Sequence, residues 1–487
     1  MISELPLSWV WATVADVAHV QLGRQRSPQH HAGEQMRPYL RAANITWQGI
    51  SLDDIKTMNF NDVDFAKYKL EAGDILLNEA SGSPHEVGKP AIWRNELEDC
   101  CFQNTLLRLR PQLVDRNYVY WYCYASALTG RLGEAGRGVN IRHLGKRGLA
   151  QFRLPVAPLA EQQRIVAAIE EHFSRLDAAK DAITTAQAKI EASRRSVLAE
   201  AFTGQLVPQD PTDEPASALL ERIAADRRTE PAARMTNSSP SPMMLPPNRS
   251  VPPDWMATTI GDVFEIVGGA TPRTDNSEYW DGDIPWVTPD DLSRHSDVQI
   301  FRGRRSITDA GFASTSAHML PQNSVLFSSR ASIGYTAIAA NPLCTNQGFK
   351  SLIPPCGVEP LYVYWFLRYA TPTIRERASG TTFKEVSKKR MAAVPFILPP
   401  SNEQRRIVAA IEEHFSHLDA ANDAITAAQA RIEASRRSVL AEAFSGRLVP
   451  QDQNDEPASA LLERIASSKA GLRAGRGRRS QNNSRMV

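Results

Sequence analysis

The sequence has few cysteines, and their spacing gives them no structural role. Its 487 residues include five cysteines, which form no Cys-x-x-Cys pair and have no histidine series nearby. This argues against a structural zinc site and against a disulfide-stabilised fold. Cysteines used in this way are typical of a reducing compartment, so we expect a cytoplasmic protein.

Long apolar runs and an excess of one charge are also missing. No apolar stretch approaches the roughly 20 residues that a membrane span needs, and the first residues, MISELPLSW, do not resemble a signal peptide. The 56 Lys and Arg residues nearly balance the 54 Asp and Glu residues. We therefore expect no membrane association, and any basic surface for nucleic acid must be local.

Nucleotide-binding and methyltransferase signatures are missing too. The segment from Gly82 to Lys89 resembles a phosphate-binding loop, but five residues separate its glycines and Pro90 occupies the position of the magnesium-binding Ser or Thr. No Gly-x-Gly-x-x-Gly follows a predicted strand. No Asn/Asp-Pro-Pro-aromatic stretch for amine methylation is present. We therefore expect a non-catalytic protein.

Two residue pairs, one of histidines and one of aspartates, are weaker candidates for a metal site and a nuclease site. His30-His31 lies in a polar segment without a carboxylate or cysteine at ligand spacing, which favours a solvated loop over a metal site. Asp290-Asp291 could belong to a nuclease, but no Glu-x-Lys follows at a useful distance. We predict no metal site and no catalytic residue.

The chain contains one long segment twice. Residues 161–224 recur at 403–466, a constant offset of 242, and about 55 of the 64 positions are identical without a gap. The repeat is rich in Ala, Glu, Arg and Gln and has no Gly or Pro over its first 42 residues, so it predicts a long helix of about 60 Å. Gly204 and Gly446, each followed by a proline, predict where the helices end.

Large apolar residues in each copy recur every seven positions, which predicts a coiled-coil seam. They are Ile169, Leu176, Ile183, Ile190 and Val197 in the first copy, and Ile411, Leu418, Ile425, Ile432 and Val439 in the second. The other seam position holds small residues (Ala179, Ala186 and Ser193), predicting close helix packing. We expect the copies to pair antiparallel with each other; unrelated surface helices or a homodimer seam are the alternatives.

Two diverged globular segments separate the helices. Each mixes short strand-like runs with helices, and they share an opening Trp (Trp9, Trp255) and the related strands Asp74-Ile-Leu-Leu and Ser324-Val-Leu-Phe. We predict an α+β chain with a pseudo-two-fold axis. Its segments are a domain at 1–157, helices at 158–225, a Pro/Ser linker at 226–252, a domain at 253–399, helices at 400–466 and a basic disordered tail at 467–487.

Basic residues recur at matched positions in the two diverged domains. The residues are Arg142, Lys146 and Arg147 in the first domain, and Lys384, Lys388 and Lys389 242 positions later in the second. This recurrence predicts contacts with DNA phosphates, and a solvated basic surface is the alternative.

Polar loop residues could read bases in the grooves of a duplex, because Arg and Lys suit guanine whereas Asn and Gln suit adenine. The candidates are Asn78, Ser81, His85 and Lys89 in the first domain, and Ser328, Ser329 and Arg330 in the second.

The chain resembles the specificity subunits of type I restriction-modification systems. The resemblance rests on the helix entries Glu161-Gln-Gln-Arg-Ile-Val and Glu403-Gln-Arg-Arg-Ile-Val, on the Leu-Pro-x-x-Trp9 opening, on Gly73-Asp-Ile-Leu-Leu, and on the order domain, helix, domain, helix. It covers nearly the whole chain. The linker at 226–252 and the basic tail look like extensions of the family pattern.

This resemblance implies a non-catalytic DNA-binding subunit. Each domain would be a target recognition domain that reads one half of a split double-stranded DNA site, with the helices setting the spacing. Two methyltransferase subunits would dock on the helices and methylate adenine, and restriction/translocase subunits would join them. S-adenosylmethionine, ATP and magnesium would belong to those partners. A coiled-coil scaffold with two protein-binding heads is the alternative.

Overall fold

The computed structural model describes residues 4–83, 85–138, 141–229, 251–330, 332–376, 378 and 384–483. The chain divides into two compact units, residues 1–183 with 427–487 and residues 184–426. Each unit therefore contains one globular domain, the start of the long helix that follows it, and the end of the other long helix. Strands and helices mix in both domains, which confirms the predicted α+β class.

The main sheet of the first domain is antiparallel, with strand order Ala18–Leu22, Leu106–Pro111, Ile75–Asn78 and Pro90–Ile92. Cys101–Phe102, Met36–Leu40 and Lys56–Asn59 form a second sheet. The remaining pairs are Val10–Thr13 with Arg153–Val156, Ile45–Thr46 with Gly49–Ile50, and Ala80–Ser81 with Arg142–His143. The helices are Val14–Val17, Pro28–His30, Ala42–Asn44, Asp62–Tyr68, Arg116–Leu128, Arg131–Glu134 and Gly145–Gln151.

The second domain repeats this plan. Its main sheet has the order Glu265–Gly268, Lys350–Ile353, Val325–Phe327, Thr336–Ala339 and Gln299–Ile300. Arg305–Ile307, Trp280–Val287 and Cys344–Thr345 form a second sheet, and Met256–Thr259 pairs with Pro395–Leu398. The helices are Ile260–Val263, Ser277–Tyr279, Pro289–Ser293, Asp309–Ala313, Pro360–Glu376 and Lys388–Ala392.

The strand motif shared by the domains occupies the same place in both main sheets. Ile75–Asn78 and Val325–Phe327 each pair with the strand that also contacts the first strand of the sheet. Gly73 before one strand has φ +94°, and Asn323 before the other has φ +71°. Asn tolerates positive φ better than most residues with a side chain, so the turn persists although its glycine is lost.

Each copy of the repeat forms a 43-residue helix, Leu159–Ala201 and Ser401–Ala443. Gly204 and Gly446 follow these helices with φ +73° and +74°, the left-handed conformation that a C-terminal glycine supplies. A shorter helix comes next in each half, Ala216–Thr229 and Ala458–Asn483. Within the described part of the chain, no helix is both long enough and apolar enough to cross a membrane.

In the first unit, the two long helices pair antiparallel. Ile169 is fully buried in a core that also contains Phe444, just beyond the end of the second long helix. Further along, Arg436 forms an ion pair with Asp177, and its guanidinium lies 4.9 Å from the centre of the Phe173 ring. Residues near the start of the first long helix thus contact residues near the end of the second, as the antiparallel prediction requires.

The second unit repeats these contacts with the helices exchanged. Arg194 pairs with Asp419, and its guanidinium lies 5.0 Å from the Phe415 ring centre. Ile411 and Val197 lie in the core of this unit, and Phe202 lies just beyond the helix end. The same side chains therefore form the same pairing in both units.

The large residues of the predicted seam are more buried than its small ones. The Ile, Leu and Val positions are buried or half-buried, Ala186 is half-buried, and Ala179 and Ser193 are exposed. Phe173 and Phe415 are also buried, each with a cationic side chain over its ring. Aromatic and Arg contacts therefore join the large seam residues in holding the helices together.

The Glu-Gln pair at the start of the first long helix joins three parts of the first unit. Glu161 is only 1% exposed and accepts hydrogen bonds from the Trp9 indole (2.9 Å) and from Gln451. Gln162 accepts a bond from the Asp115 backbone N–H (2.8 Å) and donates one to the Ala157 carbonyl (2.8 Å). The domain, the helix start and the segment after the second helix are thereby fixed together.

The second unit has the same arrangement. Glu403 accepts bonds from the Trp255 indole (2.8 Å) and from Gln209 (2.6 Å), and Gln404 accepts one from the Glu359 backbone N–H (2.8 Å). Arg406 also forms an ion pair with Asp213 (2.6 Å), matching Arg164 and Asp455 (2.6 Å) in the first unit. The repeated sequence thus encodes an attachment of each domain to both long helices.

The buried glutamates predict a pH dependence of stability. Burial raises the pKa of the Glu161 carboxyl above its ordinary value of 4.5, although its hydrogen bonds from Trp9 and Gln451 oppose this shift. Protonation therefore favours the folded state, and this contribution is complete below about pH 4.5 and lost as pH rises through the folded-state pKa. We expect wild type to gain stability relative to Glu161→Gln between pH 7 and pH 4.5, in urea unfolding at each pH. A difference in unfolding free energy between the two proteins that stays constant with pH would contradict this expectation. Glu403→Gln is the matched variant in the second unit.

Two of the predicted boundaries differ from the structure. The helix Ala216–Thr229 includes the first four residues of the predicted linker, whose residues 230–250 lie outside the described part of the chain. The helix that begins at Ala458 continues to Asn483, within the segment 467–487 that was predicted to be a basic disordered tail. Lys469 on this helix donates hydrogen bonds to the carbonyls of Ala15 and Asp16 in the first domain (2.6 and 2.7 Å).

Candidate nucleic-acid interface

The basic candidates of the first domain lie on and before a short helix. Arg142 is half-buried, and its guanidinium donates a hydrogen bond to the Gly133 carbonyl (3.2 Å). Lys146 and Arg147 are exposed on the helix Gly145–Gln151. Two of the three cations therefore face solvent, while the third also holds its loop in place.

The basic candidates of the second domain have a similar setting. Lys384, Lys388 and Lys389 are all exposed, and the latter two open the helix Lys388–Ala392. The Ser387 hydroxyl caps this helix by accepting a hydrogen bond from the Arg390 backbone N–H (3.3 Å). The matched positions of the two sequences thus become matched positions on two short helices.

The structure brings each basic segment beside the loop that was predicted to read bases. In the first domain, Ser81 pairs with Arg142 in a two-stranded ladder, and the Leu144 N–H donates to the Glu79 carbonyl (2.8 Å). In the second domain, Arg330 forms a β-bridge with Glu385, and the Val386 N–H donates to the Ser329 carbonyl (2.8 Å). The two candidate groups of each domain therefore form one surface.

Three of the base-reading candidates have hydrogen-bond or ion-pair partners within the protein, and two of them are fully buried. Ser328 is fully buried, and its hydroxyl donates to the Ser332 carbonyl (2.6 Å) and accepts from the Tyr335 N–H (2.8 Å). Ser329 is also fully buried and donates to the Gly348 carbonyl (3.1 Å). The Lys89 amine is paired with Glu86. These side chains stabilise the loops that carry them.

The remaining candidates differ in exposure. Ser81 is half-buried, and His85 and Arg330 are exposed. Asn78 is buried, and its side-chain oxygen has no hydrogen-bond partner among the described residues. Base contact by these four side chains stays a prediction.

Sequence reasoning missed residues that complete this surface. Arg137 is exposed and forms a β-bridge with His143, whose ring Nδ1 lies 3.0 Å from a Glu79 carboxylate oxygen. In the second domain, the Lys350 amine lies 3.3 Å from a Glu385 carboxylate oxygen. No sequence pattern indicated these neighbours, because they meet through pairing between distant segments.

The groups considered for catalysis have structural partners. Asp290 and Asp291 both form ion pairs with Arg304. The Asp291 carboxylate also accepts a hydrogen bond from the Thr288 hydroxyl at the start of the helix Pro289–Ser293. Burial raises the pKa of Cys100, Cys101 and Cys123 to about 12, so these side chains are thiols at neutral pH. His30 lies 3.2 Å from the Arg24 guanidinium. Among the described residues, no group of three or more His, Cys, Asp or Glu side chains could hold a metal ion.

The sequence matches a known family model over most of both halves. The family is the type I restriction modification DNA specificity domain, matched at residues 6–191 and 252–433. The chain is 40% identical to the type I restriction enzyme MjaIX specificity subunit of Methanocaldococcus jannaschii over 170 residues, which cover 34% of this chain and 39% of that protein. It is 23% identical to the EcoKI specificity subunit of Escherichia coli K12, over 96% of this chain and 97% of that protein.

Solved structures share the fold. A chain from a study of complex assembly and conformational transition of a type I R-M system matches with a TM-score of 0.68 and 20% identity, over 91% of this chain and 99% of that one. The HsdS subunit of Thermoanaerobacter tengcongensis matches with a TM-score of 0.55, 20% identity and coverage of 91% and 98%. Two family domains and the matching architecture agree, and the chain therefore belongs to the type I restriction-modification DNA specificity family as a specificity subunit with two recognition domains.

Proposed function

We propose that this chain is non-catalytic and binds double-stranded DNA, with each domain contacting one half of a bipartite site. The observation that carries this proposal is the duplicated surface in which an exposed basic helix is bonded to a polar loop. Exposed Lys and Arg side chains supply phosphate contacts without sequence information. The adjoining loops differ between the domains, so each half of the site would have its own sequence.

The long helices would set the gap between the two halves. Within each unit, the domain is attached to the start of one helix through Glu161 or Glu403 and to the end of the other through Gln451 or Gln209. Such attachment leaves a domain little freedom to slide along the helices. A bound duplex would therefore be contacted at a fixed spacing.

The chemistry of modification and cleavage would belong to partner subunits. We place two methyltransferase subunits against the paired helices, with restriction/translocase subunits joining them. S-adenosylmethionine, ATP and magnesium would be bound by those partners. The exposed polar faces of both long helices suit such docking, and the free cysteines suit a cytoplasmic location.

The experiment that tests this proposal is selection from a random duplex pool by the complex of this chain with its methyltransferase partner. Enrichment of two short tracts separated by a constant gap is the expected result. No enrichment, with the chain instead joining two different proteins, would support the coiled-coil scaffold.

The exposed cations predict a large, sequence-independent loss of binding. Replacing Lys146 and Arg147 with Ala should weaken binding to selected and unselected duplexes alike, and should reduce the slope of log K against log salt by up to about 2. Adding Arg142→Ala should extend the loss, although this change also removes the hydrogen bond to Gly133. Fluorescence anisotropy across a salt series measures both quantities.

Matched variants keep this prediction specific. Lys388→Ala with Lys389→Ala should have the same effect through the second domain. Arg175→Ala, which removes an exposed cation paired with Glu171 on the first long helix, should leave the salt slope nearly unchanged. Loss of binding to only one sequence would show that Lys146 and Arg147 contact bases rather than phosphates.

A further inference from the structure

One large apolar side chain projects into solvent from the basic surface of the first domain. Ile141 is 54% exposed and directly precedes Arg142. It lies in a short loop closed by two backbone hydrogen bonds between Arg137 and His143 (2.9 and 2.8 Å). A single exposed apolar residue is common on protein surfaces, so the case for a role of Ile141 rests on the cations around it.

The described residues of this loop, on either side of residues 139–140, make close contacts. Gly138 has φ +116°, and a Cβ atom at this position would lie 2.1 Å from the Ile141 carbonyl oxygen. The Arg142 guanidinium ties the other side of the loop to the Gly133 carbonyl. Arg142, directly after Ile141, is thus held in place through its own side chain.

The charges around Ile141 distinguish it from Val63 and Leu52, two other exposed apolar residues of the domain. Val63 is 80% exposed but lies between Asp62 and Asp64, and Leu52 is followed by two aspartates. These acidic surroundings would repel a phosphate backbone. Ile141 is surrounded in sequence by cations instead, at Arg137, Arg142, Lys146 and Arg147, while the neighbouring Glu79 carboxylate is close to His143.

The second domain has an apolar residue at the matching sequence position. Residue 383, which is 242 positions after Ile141, is a phenylalanine that directly precedes Lys384. It lies outside the described residues, so only its sequence position bears on this comparison. An apolar residue followed by a cation is thus kept in two otherwise diverged loops.

We infer that Ile141 inserts as an apolar wedge between adjacent base pairs while the cations beside it bind the backbone. DNA-binding proteins use such wedges to unstack a base step and kink the duplex. The flanking cations place the side chain against the duplex, and the hydrogen bonds of Arg142 and His143 limit the motion of the residues that follow Ile141. This inference rests on the proposed DNA-binding function.

The test uses the full chain in complex with its methyltransferase partner and a duplex recovered from the random-pool selection. 2-Aminopurine replaces one base at a time in the duplex. Wild type should raise the fluorescence at one step within a half-site, and Ile141→Ala should abolish that rise and weaken binding about 10- to 100-fold with an unchanged salt slope. Ile141→Leu should restore both, and Val63→Ala should resemble wild type.

Each other outcome has a defined meaning. Fluorescence from a flipped target adenine would persist in Ile141→Ala, so it cannot be mistaken for the wedge. Equal binding and fluorescence in wild type and Ile141→Ala would overturn the wedge but leave the proposed function intact. A loss of binding that thymine-to-uracil replacement reproduces, without a fluorescence change, would replace the wedge with a methyl contact in the groove. Failure of the wild-type complex to bind any duplex would refute the proposed function itself.

Discussion

Replacing Phe444 with Ala should destabilise the first unit by about 3–5 kcal/mol, the usual range for removing a buried aromatic side chain. Phe444 lies just beyond the end of the second long helix and is 4% exposed. Its ring packs edge-on against Tyr118 and Tyr122 of the first domain, with centroid distances of 5.4 and 5.1 Å. The substitution would leave a cavity where the helix end joins the domain.

The repeat provides a matched variant for this experiment. Phe202, 242 positions earlier, contacts Tyr362, Phe366 and Tyr369 in the second unit at 5.3, 5.5 and 5.1 Å. Phe202→Ala should therefore have a similar effect there. Phe301→Ala, at a side chain that is 66% exposed, should change stability by less than about 0.5 kcal/mol. Urea unfolding followed by far-UV circular dichroism measures all three, and a wild-type midpoint for Phe444→Ala would show that this packing does not form.

Lengthening both long helices should change the gap between the half-sites without changing their sequences. Four helical residues inserted after Ile183 and four after Ile425 add about 6 Å to each helix. At about 3.4 Å per base pair, the preferred gap should grow by one to two base pairs. Selection from a random duplex pool measures the gap and both half-site sequences together.

Two controls accompany the helix insertion. The same four residues placed between positions 240 and 241, outside the long helices, should leave the gap unchanged. Replacing four exposed helix residues without changing the helix length should do the same. An unchanged gap after insertion into both helices, with both half-sites still selected, would refute the proposed role of the helices in spacing.

Much of the architecture could be predicted because the sequence contains the long helical segment twice. The positions of the helices, their ends at Gly204 and Gly446, and their antiparallel pairing all follow from the repeat and its periodicity. The heptad pattern gave the large seam residues correctly. It could not show that Phe173 and Phe415 would also be buried, because each is covered by an Arg side chain from the opposite helix.

The anchoring role of Glu161 and Glu403 could not be predicted in physical detail. Their sequence motif marks a helix start, but the Trp9 and Trp255 partners lie about 150 positions earlier in the chain. The turn at Asn323 shows the opposite case. Asn323 stands where the first domain has Gly73, and its positive φ preserves the turn before the shared strand.

The candidate interface was predictable by segment but not by side chain. Matched charges located both basic helices, and strand motifs located the adjoining loops. Burial then removed Ser328 and Ser329, because a serine hydroxyl can serve an internal turn as well as a ligand. Ile141 was missed because an exposed isoleucine has no polar signature in the sequence.

The central claim is that two domains of one chain select two separate DNA tracts. Its most direct test is a genome-wide map of adenine methylation in cells that carry this chain with its methyltransferase partner, compared with cells that lack only this chain. We predict methylated sites composed of two short sequences with a constant gap, all of them lost when the chain is absent. A continuous recognition sequence, or methylation that persists without the chain, would contradict the account.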